Sequence, residues 1–173
     1  MTSVGDPLTA TDLNVATTDL PTKVRGFEVG ANVYLKRGPG FGIGFGAEMV
    51  MGRGRHTTPD PTGATEGLKT ATRLTGVSGT MTLNFGQRNG WSYLAAGYGP
   101  LEFWSYLDDG TPHSSPRSMT LNAGGGARWF SSRHVAFSFD VRFYYTNPLT
   151  PTDLFPGRSR KKLTLLSAGI SIR

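Results

Sequence analysis

The sequence predicts an all-β fold, an antiparallel up-and-down β-barrel of about eight strands, seven of them clear, and three observations predict it. Apolar residues recur with period two through segments of ten residues or more. The composition, with 24 Gly, 37% hydrophobic and 17% charged residues, is poor in the apolar and charged content of soluble domains and hostile to helices. The connections between segments alternate between short and long.

The first segment sets Phe27, Val29, Ala31, Val33 and Leu35 against Glu28, Gly30, Asn32, Tyr34 and Lys36. After the turn signal Arg37-Gly38-Pro39-Gly40, a second sets Phe41, Ile43, Phe45, Ala47, Met49 and Met51 against Gly42, Gly44, Gly46, Glu48 and Val50. Successive strand side chains point to opposite faces, so each segment has one apolar wall and one of glycine and polar groups. Val77, Gly79, Met81, Leu83 and Phe85 repeat the pattern before the turn at 86–90. A strand of undecided facing then runs over residues 91–106. Met119 to Trp129 at odd positions, then Val135 to Tyr145 at odd positions, give the next two strands across the turn at 131–134. Leu166, Ala168, Ile170 and Ile172 give the last. The polar stretches 53–67, 107–117 and 147–161, rich in proline, are expected as long loops at the opposite end from the short turns.

Residues 24–173 are read as the barrel domain and residues 1–23 as a polar N-terminal segment, either a weakly alternating first strand around residues 9–17 or a tail. Residues 1–22 carry neither a basic start nor an apolar run and do not read as a signal peptide, so an exported protein is expected here in a mature or truncated form. No stretch reaches the roughly 18 apolar residues of a membrane helix.

The alternating runs, the aromatic residues Trp91, Tyr93, Trp129 and Tyr145 near strand ends, and the β-strand at the C-terminus resemble the small eight-stranded outer-membrane barrels of the OmpA/OmpX type. The resemblance covers residues 24–173 and is one of architecture. It implies location in a bacterial outer membrane, short turns on the periplasmic side, contact with outer-membrane lipid and lipopolysaccharide, and protein partners engaged through the long loops. Two features depart from that pattern: the clear strands number seven, and the chain ends Ile172-Arg173 instead of on an aromatic residue.

Glu28, Glu48, Arg128, Asp140 and Arg142 all fall on the polar face, and are expected to form an interior ion-pair network among glycines that leave room for long side chains. The same residues could instead line a narrow pore. The net charge of +6 has one real cluster, and Arg158, Arg160, Lys161 and Lys162 are candidates for lipopolysaccharide phosphate. That cluster lacks interleaved aromatics, so nucleic acid is not expected as a partner.

No enzyme is expected, and no cofactor or metal. The G-x-G-x-x-A letters at 42–47 lie inside an alternating strand and open no helix. His56, His113 and His134 are dispersed, with no cysteine to complete a metal site. His113 and Ser114, with Glu102 or Asp108 nearby, imitate a lipid A-modifying hydrolase, but adjacent residues point apart in an extended chain. The expected function is therefore a non-enzymatic outer-membrane barrel, structural or acting through its loops, with its interior plugged. The alternative is a soluble lipocalin-like barrel holding a small apolar ligand. Which wall faces inward separates the two.

Overall fold

The computed structural model describes residues 10–11, 13–38, 40–59, 67–87, 90–107, 112–114, 117–150, 152 and 160–172. The strands are β1 (Arg25–Gly38), β2 (Phe41–Thr58), β3 (Leu68–Gln87), β4 (Gly90–Leu107), β5 (Pro112–Ser114), β6 (Ser118–Phe130), β7 (Val135–Thr146) and β8 (Lys162–Ile172). Each long strand pairs antiparallel with the next in an all-β, barrel-like sheet of order β1-β2-β3-β4-β6-β7-β8, and the three-residue β5 pairs on β4. Seven long up-and-down strands leave β1 and β8 running in the same direction at the two edges. Among the described residues no backbone ladder joins them.

Short connections form where the sequence provides turn chemistry. Gly40, between β1 and β2, takes φ 75, which L side chains resist. At the β6–β7 turn the amides of Ser131 and Ser132 both donate to the Val135 carbonyl. The Ser132 hydroxyl oxygen accepts from the amides of His134 and Val135.

Two expectations need correction. The described residues 10–11 and 13–17 form no eighth strand: the chain turns at 13–14, with Asn14 at φ 53, and leads into a short 3-10 helix at Thr17–Asp19. Their apolar residues pack locally instead, with Ala10, Leu13 and Leu20 forming a buried cluster that reaches Val15 and Leu107. The polar stretch 53–67 is not loop throughout, because β2 continues to Thr58 and β3 begins at Leu68. The ladder Arg53↔Arg73 to Thr58↔Leu68 persists where apolar alternation has ended, since backbone pairing needs no particular side chain.

The orientation of the walls is clear. Val33, Leu35, Leu166 and Ile170 are 62–72% exposed, whereas Glu48, Asn122 and Arg142 on the other wall are 6% exposed or less. One outward row runs Val33, Phe45, Met81, Ala96, Ala123, Phe143 and Thr164 across all seven long strands without a charge. The apolar wall is outside.

Candidate functional site: the filled interior

The interior has three layers. At the long-loop end, Val24, Val50, Leu74, Leu101, Phe103, Tyr144 and Leu163 form one buried apolar cluster. Residues 21–24 lead into that layer past Gly54 and Gly52. A Cβ on Gly52 would meet Val24, and one on Gly54 would come within 2.9 Å of Pro21. Asp19 ties this segment to the strand ends: its Oδ1 accepts from the Thr58 hydroxyl at 2.7 Å, and its carbonyl accepts from Thr70.

The middle layer holds four of the five charges expected inside, and the structure brings them together unequally. Arg142 Nη1 lies 2.9 Å from Glu48 Oε2, with both side chains 6% exposed. The same nitrogen donates to Asn122 Oδ1 at 3.2 Å, Asn122 Nδ2 donates to Ser78 Oγ at 3.0 Å, and Ser78 donates to Glu48 Oε1 at 3.1 Å. The result is a closed ring of polar contacts through β2, β3, β6 and β7. Asp140 accepts from the Tyr93 hydroxyl and makes no direct ion pair among the described residues. The fifth charge, Glu28 on β1, faces Ser167 of β8 across the open edge, and its Oε2 has no partner among the described residues.

Arg128, the remaining member of the middle group, reaches toward the short-turn end. Its Nη1 donates to the Tyr34 hydroxyl at 2.9 Å, and its guanidinium lies 4.6 Å from the centroid of the Tyr93 ring. Below it Tyr34, Trp91 and Phe130 form the third layer, with Trp91 centroids 5.5 and 5.6 Å from those of Tyr34 and Phe130. Trp91 and Tyr93 are thus interior residues, while Trp129 and Tyr145 face outward.

Glycines make these contacts sterically feasible. A Cβ on Gly126 would sit 2.8 Å from both Asp140 Oδ1 and the Tyr93 hydroxyl, and one on Gly97 would sit 2.8 Å from the Asn122 amide. The linking residues Tyr34, Ser78, Tyr93 and Asn122 are not among the interior residues expected from the sequence. Their signal was the parity they share with the charges, which for Tyr93 was hidden by the undecided facing of β4.

The basic cluster of the last connection divides. Arg158 lies outside the described residues, and Arg160 is exposed. Lys161 turns its amine over the ring of interior Phe103, at 5.2 Å, while Lys162 lies over the outward rings of Phe143 and Tyr145. Strand alternation sends the side chains of these two neighbours toward opposite walls. Among the described residues no three metal-binding side chains converge. His113 and Ser114 lie in β5 opposite Ser105 and Trp104.

An interior cavity of about 890 Å³ opens along the edge between β1 and β8 and is lined by Glu28, Asn32, Asp140 and Arg128 together with Leu165 and Ser167. Comparison with protein-family models and with curated proteins returns no match.

Proposed function

We propose that this chain is a non-enzymatic β-barrel of a bacterial outer membrane, with a structural or loop-presenting role and an interior plugged by its own side chains. The observation that carries the reading is the inversion of the walls, with large aliphatic and aromatic side chains outside and charges, amides and hydroxyls inside. An exposed apolar surface of that extent is unusual on a soluble monomer and natural against lipid.

The dimensions agree. On β2 the outward residues from Phe41 to Met51 are uncharged, and Arg53 follows at the next outward position. Ten steps at about 3.3 Å, tilted by about 40°, span roughly 25 Å, the height of the lipid-facing band of such barrels. Aromatic residues flank the band at both ends, Trp129 near the short turns and Trp104 and Tyr106 near the long connections. A lipocalin-like carrier would need the opposite arrangement of walls. A conducting pore would need a continuous lumen, and the three interior layers oppose that.

The test is gel mobility with and without boiling after refolding into detergent micelles. A compact species that converts to a slower one only on heating, and forms only with detergent or lipid, is the expected result. A monodisperse β-protein in plain buffer would overturn the reading.

A further inference from the structure

Three arginines stand side by side on the outer wall where the apolar band ends. Arg25 pairs with Arg53 across β1 and β2, Arg53 pairs with Arg73 across β2 and β3, and Trp104 on β4 follows in the same row. All three arginines are exposed. Side chains directly opposite on neighbouring strands have Cβ atoms about 5 Å apart, and like charges so placed repel. None of the three has a hydrogen-bond or carboxylate partner among the described residues. The nearest acid in the ladder, Glu102, lies in the next row and faces Arg117 at 4.0 Å. A groove of about 610 Å³ runs along the row, lined by Arg25, Arg53, Arg73, Phe27, Met51 and Tyr106. It joins a cationic rim to an apolar floor.

We infer that this row is a binding site for the phosphate of an anionic membrane lipid, with an acyl chain lying over Phe27 and Met51. The inference rests on the membrane reading above, which puts Arg53 one outward step beyond the apolar band, at headgroup depth. Guanidinium groups bind phosphate oxygens in pairs, and a phosphate shared among three would convert their mutual repulsion into attraction. Trp104 and Tyr106 beside the row suit the same depth. The site uses none of the basic residues at 158–162 and belongs to the folded wall.

The test uses the whole chain refolded in neutral-detergent micelles and titrated by calorimetry with bisphosphorylated lipid A or with a phosphate-free lipid of matching acyl chains. The parent is expected to prefer the phosphorylated lipid, with an affinity that falls as salt rises. The triple variant R25Q/R53Q/R73Q is expected to bind it roughly a hundredfold more weakly, which at about 1.4 kcal/mol per tenfold is about 1 kcal/mol per arginine. R53Q, which removes the middle member, should lose roughly fivefold, and R133Q at the opposite end should bind as the parent does. Without lipid the triple variant should resist heat at least as well as the parent, a result that a merely structural role would reverse. Folding in micelles with equal binding of the two lipids overturns the site alone. Folding in plain buffer with neither lipid bound overturns the site and the membrane reading together.

Discussion

The apolar layer at the long-loop end and the polar ring in the middle fill the same barrel from inward positions of the same strands. They do so by different physics. Val50, Leu74, Leu101, Phe103 and Leu163 contribute through area removed from water, with no directional requirement, so the loss of one leaves the others satisfied. Glu48, Arg142, Asn122 and Ser78 depend on one another, because a buried charge without its partner is costly. The apolar layer should therefore respond in proportion to what is removed, and the polar ring should respond to whether partners are removed singly or together.

The largest expected effect breaks the ring. Arg142→Met leaves Glu48 buried and unpaired, and should cost about 3–5 kcal/mol, read as a fall in the temperature at which the heat-modified gel species appears. The double variant E48Q/R142M should recover most of that loss. If it is as unstable as the single variant, the charges are not coupled and the comparison fails. Leu74→Ala, wholly buried in the apolar layer, should cost about 3 kcal/mol by the same assay, with no rescue from any change in the ring. Tyr93→Phe removes the hydroxyl that Asp140 accepts from, and should cost about 2 kcal/mol while leaving the Glu48–Arg142 pair intact. The smallest effect concerns the segment that closes the loop end. Asp19→Ala breaks its contact with Thr58, and should cost about 1 kcal/mol and speed proteolysis near residues 10–20 without changing the heat-modifiable shift. Protection equal to the parent's would mean that Val24 and Pro21 hold the segment unaided.

Much of this architecture is local information and was legible in the sequence. The period-two runs placed six strands, and the Pro39-Gly40 and Ser131-Ser132 turns placed short connections, because pleat and turn geometry depend on residues close in the chain. The extension of β2 and β3 beyond the apolar band was not legible, since backbone pairing continues without a side-chain signal there. The interior charges were identifiable by parity as residues of one wall. Their pairing was not, because parity says nothing about height along the barrel. Arg128 reaches out of the middle layer to the Tyr34 hydroxyl, and Asp140 meets Tyr93 in place of an arginine.

The sequence by itself determined the strand period, the short turns and the division of side chains into two walls, because each follows from interactions within a few residues. Only the tertiary structure decided which wall faces inward, and it joined Glu48 to Arg142, 94 residues away, and set Arg25, Arg53 and Arg73 in one row. Those outcomes depend on the direction in which the sheet curls and on registers summed over successive strands. A shift of one residue in a register would send every side chain of a strand to the opposite wall.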